Sequence, residues 1–256
     1  MRDDRSSAGE GGQPSDVIDT HCHLLPGLDD GPRSLGESVM MARRLTRSGV
    51  VHTICTPHAS PRYPLSQRRA ASAMQHLQTA LDELEIPLGL SLAAEVHPRT
   101  ALRAPLDDLL TWSIGRRFVI VELVRSTTAA EVERVLARLA EVGTKPIFAH
   151  PERCHAVQSG SDVIEQVRME GALIQVVAPS LTGAAASAVG RVAWELLAQG
   201  QVDMVASDGH TAESSRLNMD ALADVVAARL GVATARRLFV ECPRQVVDAS
   251  GYSGAW

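Results

Sequence analysis

Side chains able to bind metal recur at the ends of short apolar runs. His21 and His23 close the first run two positions apart, so in an extended chain both imidazoles face one side and Cys22 the other. The second run leads through Thr56-Pro57 to His58, the third ends at Glu95, the fourth at Glu122 and the fifth at His150. The seventh closes with Asp208-Gly209-His210, again a pair two positions apart, and Asp29-Asp30-Gly31 follows the first run in a turn-like segment. Gathered in one pocket, Asp30, Glu95, Glu122 and Asp208 repel one another. Two such charges 4 Å apart cost roughly 4 kcal/mol at an effective dielectric of 20. Divalent cations remove that conflict. A mixed histidine and carboxylate set suits zinc, manganese or iron better than calcium. These nine candidates (His21, His23, Asp30, His58, Glu95, Glu122, His150, Asp208 and His210) exceed what one tetrahedral ion uses, so they imply two or three ions and a bridging carboxylate.

The elements that must position these residues follow a rhythm. Val-, Ile- and Leu-rich runs at 17–23, 51–56, 88–95, 118–122, 146–150, 172–177 and 202–208 read as strands. Segments of helical period lie between them at 38–48, 67–85, 129–142, 162–170 and 185–198, with one or two further helices over 217–238. Gly49, Gly143, Gly171 and Gly200 each stand between a helical run and the next strand. The spacing approaches the roughly 30 residues of one strand-helix unit. Repeated units of this kind predict a parallel α/β barrel, whose strand ends converge on one face where active sites form. An open doubly wound sheet is the second choice and lacks its GxGxxG turn. Residues 16–256 are expected to form a single domain behind a Gly- and Ser-rich tail, 1–15, expected to be disordered.

Composition narrows the partners. Thirty acidic against 25 basic residues give a net charge of −5, and aromatics are only 3%, a poor match for nucleic acid. No apolar run reaches the roughly 20 residues of a membrane span, and the polar N-terminus, with no apolar stretch, is not expected to act as a secretory leader. Cys22, Cys55, Cys154 and Cys242 form no CxxC pair, which points to reduced thiols and a cytoplasmic protein. A cysteine-based tyrosine phosphatase needs Arg six positions after its thiolate; here those positions hold Leu28, Pro61, Gly160 and Asp248, so that mechanism is rejected. His52, His76, His97 and His155 read as structural or surface residues, with His97 nearest a candidate ligand. Arg62, Tyr63, Arg68 and Arg69 make a basic loop, read either as a solvated face or as a peptide-docking rim. Arg43-Arg44 and Arg236-Arg237 read as solvated helix surface.

In order along the chain, HCH, DDGP, TPH, AEV, VEL, AHPER and SDGH resemble the PHP (polymerase and histidinol phosphatase) superfamily. Within it the pattern is most similar to the metal-dependent protein-tyrosine phosphatases that act with bacterial capsule and exopolysaccharide tyrosine kinases. The resemblance implies a distorted seven-stranded parallel (β/α)7 barrel and a trinuclear centre. It assigns His21, His23, Glu95 and Asp208 to one metal. Glu122 and His150 hold a second that Glu95 bridges to the first, and Asp30, His58 and His210 hold a third. Arg153 matches the phosphate-binding arginine and Arg216 a second one, while His58 or a metal assists the leaving group. The implied ions are manganese first, with iron, zinc or cobalt as alternatives. The implied reaction is attack on phosphotyrosine by a metal-bridged hydroxide. Its implied substrate is a phosphotyrosine protein such as a bacterial tyrosine kinase, and an oligomer is allowed. Two rivals remain: a phosphatase of histidinol phosphate or another small phosphomonoester, and a non-catalytic metal-binding barrel. Cys154 stands where the superfamily often has Tyr, and Ala178 where it often has Asn; neither departure removes a ligand.

Overall fold

The computed structural model describes residues 16–160, 162–182, 187–249 and 251; the 1–15 tail lies outside the described residues. Among the described residues there are nine strands: β1 Val17–Cys22, β2 Val50–Cys55, β3 His58–Ala59, β4 Gly89–Leu92, β5 Glu95–Val96, β6 Phe118–Glu122, β7 Lys145–Ala149, β8 Leu173–Val177 and β9 Met204–Ala206. All pair in parallel, in a three-stranded sheet ordered β1-β2-β4 and a six-stranded sheet ordered β3-β5-β6-β7-β8-β9. Strands buried on both faces need near-continuous apolar sequence. That is why β7 and β8 carry Ile147, Phe148, Ile174 and Val176 with no exposure.

The seven continuous strands expected from sequence are not observed among the described residues. The third run breaks in two, a short strand His58–Ala59 follows the second run, and the chain pairs as two sheets rather than one closed ladder. Pro57, which has no N–H to donate, sits at the break between β2 and β3. Hydrogen bonds still cross both breaks: Ala93 N donates to Cys55 O (3.0 Å), Glu95 N to Pro57 O (3.2 Å) and His97 N to Ala59 O (3.1 Å). β1 and the end of β9 meet at a parallel bridge between Cys22 and Gly209. There Asp208 N donates to His21 O and His23 N to Gly209 O, both at 2.9 Å. Beneath this seam Asp19 is fully buried; its Oδ1 accepts the Ser207 N–H at 2.9 Å, and the Ser207 hydroxyl donates to its Oδ2 at 2.5 Å.

Helices pack outside the strands. The first runs Leu35–Arg47, three residues ahead of the expected start, because Ser34 Oγ accepts the Glu37 N–H and caps it. Gln67–Glu83 is capped by Ser66, and Ala129–Ala140 opens with a Thr128/Glu131 capping box. Val163–Met169 and Ala188–Ala198 follow. The expected 217–238 segment begins as Met219–Leu230 and breaks at Gly231 (φ 92°); short helical segments then reach Asp248. No helix among the described residues is long and apolar enough to cross a membrane.

Candidate metal centre

The ends of β1, β2, β5, β6, β7 and β9 bring the sequence-predicted ligands together. Glu95, 1% exposed, is the hub. Its Oε2 lies 2.8 Å from His58 Nδ1, 3.3 Å from His23 Nε2 and 3.5 Å from His21 Nε2, and its Oε1 lies 2.8 Å from His150 Nε2. Asp208 Oδ1 sits 3.8, 3.7 and 3.7 Å from nitrogens of His21, His23 and His210. Asp30 Oδ1 reaches His58 Nε2 at 3.4 Å and His210 Nε2 at 3.5 Å. Three sets have ligand atoms within 4.8 Å of one another: His21-His23-Asp208, His23-Asp30-His58-His210 and His58-Glu95-Glu122. Glu122 therefore gathers with His58 and Glu95, whereas His150 enters through Glu95. His150 (φ 39°) and Asp208 (φ 50°) adopt left-handed backbone just past their strands, an uncommon conformation that concentrates at functional sites.

The buried histidines are aimed by partners behind them. His23 Nδ1 meets Asp29 Oδ2 at 2.7 Å; Asp29 also accepts the N–H groups of Gly31 and His58, both at 2.9 Å. Gly31 must be glycine here, since a Cβ would sit 2.5 Å from the His23 carbonyl oxygen. His21 Nδ1 meets Gln175 Oε1 at 2.8 Å, and Gln175 Nε2 donates to Thr20 Oγ1 at 2.8 Å. Such contacts fix the ring so that the other nitrogen faces the cluster.

Charge is balanced only within the cluster. Burial opposes protonation of His21, yet Glu95 and Asp208 hold its pKa above the ordinary value. Burial likewise opposes charge on Glu95, but His21 and His150 keep it well below the usual carboxylate range. Asp208 is held at about 2, burial being outweighed by His21, His150 and Arg153. Glu122 moves the other way, pushed up by burial and by the charge of Glu95. A divalent ion fits this donor set. Glu95 Oε2 and His58 Nδ1 are buried 2.8 Å apart, and neither makes a hydrogen bond of ordinary geometry. Both atoms can serve a cation, in a site whose other groups are imidazoles and carboxylates.

Residues 17–248 match the model of the family described as capsular polysaccharide synthesis, CpsB/CapC. The chain belongs to this family. The tyrosine-protein phosphatase YwqE of Bacillus subtilis (strain 168) is 27% identical over 203 residues, covering 77% of this chain and 79% of YwqE. The tyrosine-protein phosphatase CpsB of Streptococcus pneumoniae is 24% identical over 238 residues, covering 90% and 98%. A solved structure from work on YwqE and CpsB, described as metal-dependent tyrosine phosphatases, superposes with a TM-score of 0.80 at 24% identity, covering 91% of this chain and 95% of its own. That likeness supports the CpsB/CapC fold described above.

Two arginines border the cluster of this CpsB/CapC chain. Arg153 Nη2 donates to Asp208 Oδ2 at 2.9 Å, and Arg216 Nη1 donates to the Asp208 carbonyl at 3.0 Å. Both are partly exposed, on the open side of the buried carboxylate. Arg153 is thus tied directly to one of the candidate ligands. Asp29 and Gln175 were not singled out as site residues by sequence reasoning. Asp29 stood next to the chosen Asp30, and Gln175 was the one polar side chain in an apolar strand. The cysteines stay out of this chemistry. Cys22, Cys55 and Cys154 are buried, Cys22 Sγ donates to Gly209 O and Cys154 Sγ to Thr127 O, and burial pushes the Cys22 and Cys55 thiols up.

Proposed function

We propose that this CpsB/CapC chain hydrolyses phosphotyrosine in proteins, using two or three divalent ions, manganese foremost. The observation that carries this is the convergence of His21, His23, His58 and His150 on the single carboxylate Glu95, with Arg153 beside it on Asp208. His21, His23, Glu95 and Asp208 would hold one ion, Glu122 and His150 together with Glu95 a second, and Asp30, His58 and His210 a third. Bound there, the ions supply a nucleophile at neutral pH and positive charge for the phosphoryl oxygens. Arg153 and Arg216 bind those oxygens, and the planar guanidinium of Arg153 offers two donors in one plane. The tyrosine oxygen leaves as a phenolate of pKa near 10, so it needs little help from an acid.

The relatives named tyrosine-protein phosphatases support the choice of ester. A kinase of capsular polysaccharide synthesis is the protein substrate this implies, in the cytoplasm. We read the two parallel sheets as a distorted (β/α)7 barrel within one domain. Metal analysis together with a substrate panel tests the function. The expected result is bound metal, chelator-sensitive turnover of a phosphotyrosine peptide and weak turnover of histidinol phosphate. Preference for histidinol phosphate, or turnover that survives complete metal removal, overturns it.

A further inference from the structure

A cleft of about 420 Å³ opens from the outer side of the cluster, where Asp30, His58 and Glu122 form its floor. Its wall is the basic loop that the site itself does not use. The Tyr63 ring lies nearly parallel to His58, 9° between planes and 5.6 Å between centroids, within the range of favourable aromatic pairs. Arg62 places its guanidinium 5.2 Å from the Tyr63 centroid, so His58, Tyr63 and Arg62 are contiguous beside the metal-ligand candidates. The loop is pinned: Ser60 N donates to Tyr63 O at 3.0 Å and Tyr63 N to Ser60 Oγ at 3.1 Å. Arg99 enters the same cleft, its N–H donating to His97 Nδ1 at 3.0 Å. The acidic residues lining the cleft, Asp30 and Glu122, are both metal-ligand candidates. With ions bound to those carboxylates, the cationic side chains lining the cleft are Arg62 and Arg99, Glu131 standing near the latter.

We propose that Tyr63 is the platform against which the substrate's aromatic ring packs, and that Arg62 and Arg99 receive acidic side chains flanking the phosphotyrosine; this rests on the phosphatase reading above. An aryl phosphate carries its ring directly on the ester oxygen. When its phosphorus is at the cluster, the ring must lie beside the ligands, where Tyr63 stands. An alkyl phosphate brings no ring to that place and gains nothing from Tyr63. Acidic residues on the substrate gain from the two exposed guanidinium groups, and that gain fades with salt.

The test compares wild type, Tyr63→Ala, Tyr63→Phe and the Arg62→Ala/Arg99→Ala pair, with metal content measured for each. Substrates are a phosphotyrosine peptide with acidic flanks, the same peptide with neutral flanks, p-nitrophenyl phosphate and a simple alkyl phosphate. Tyr63→Ala should lower the ratio of aryl to alkyl kcat/KM by roughly 3- to 10-fold, mainly through KM, while Tyr63→Phe keeps it. The arginine pair should reduce the preference for acidic over neutral flanks by roughly 2- to 5-fold at low salt. An aryl-to-alkyl ratio unchanged in Tyr63→Ala overturns the platform, and so does an equal loss on both esters, which would mean that Tyr63 acts only through His58. An unchanged flank preference overturns the arginine role. Wild type that ignores phosphotyrosine peptides fails at the first arm, and the phosphatase reading falls with it.

Discussion

The two sides of the cluster are built differently. His21, His23, Glu95 and Asp208 form an inner wall on or directly after strands, with side chains 0–4% exposed. On the outer side, Asp30 is 49% exposed in a loop, His210 21% and His58 16%. His21 and His23 are locked from behind by Gln175 and Asp29. His210 leans on the carbonyl of Asp208 through its Nδ1 at 2.9 Å. Rigid, desolvated ligands lose little freedom when an ion arrives; exposed loop ligands must be ordered by it. The inner wall therefore presents a preformed set of donors, whereas the proposed outer ion would have to order its own.

Removing the hub should erase the distinction. Glu95→Ala is expected to lose activity and metal on both sides, read as metal per chain beside kcat on a phosphotyrosine peptide. A variant that kept full metal and wild-type turnover would show that Glu95 bridges nothing. Arg153→Ala should instead spare both sides. It is expected to keep its metals while kcat/KM falls by about 2–4 kcal/mol, roughly 30- to 1,000-fold, with Arg153→Lys recovering part of this. Near-normal turnover with full metal would move the phosphate-binding role to Arg216.

The partners behind the histidines sharpen the comparison further. Gln175→Ala should weaken inner-side metal binding by roughly 10- to 100-fold in a competition titration. Asp29→Ala should weaken it as much and disturb the outer side too, because Asp29 also accepts the His58 N–H. Effects of Asp29→Ala confined to the inner side would mean that its bond from the His58 N–H does not support the outer side. The smallest expected effect belongs to a histidine away from the cluster. Burial lowers the His52 pKa from 6.5 to about 4, and its Nε2 reaches Ser91 Oγ at 2.9 Å. Between those values the unfolded chain binds a proton that the native chain refuses, so stability falls as pH drops. His52 should contribute about 1 kcal/mol of that loss between pH 6.5 and 5.5, and His52→Asn should flatten the denaturation midpoint by that amount. An unchanged slope would mean that the cluster histidines alone set the acid sensitivity.

All nine ligand candidates were legible because strand periodicity and strand endings are written in residue types. An apolar run that stops on His or Glu says what faces the pocket, although His58 and Glu95 open β3 and β5 instead of closing the strands before them. Proton partners are not written that way. Gln175 reads as an interruption of β8 until the fold brings it to His21, 154 positions away in sequence. The sequence DDG likewise cannot say which aspartate turns inward to His23 and which faces outward. The break at Ala93-Ala94 was hidden for a related reason, since 88–95 reads as one apolar run and nothing local marks where the ladder changes sheets.

The buried thiols have a consequence for redox chemistry. A phosphatase built on an exposed thiolate is silenced when peroxide converts that sulfur to sulfenic acid, because low pKa and access are what make a thiol oxidisable. Cys22 and Cys55 are the reverse case: inaccessible, held as thiols by burial, and turned away from the cluster on β1 and β2. An oxidant that stops thiolate phosphatases would find no nucleophilic sulfur at this centre. Dephosphorylation here would answer to metal supply instead of to the thiol poise of its surroundings.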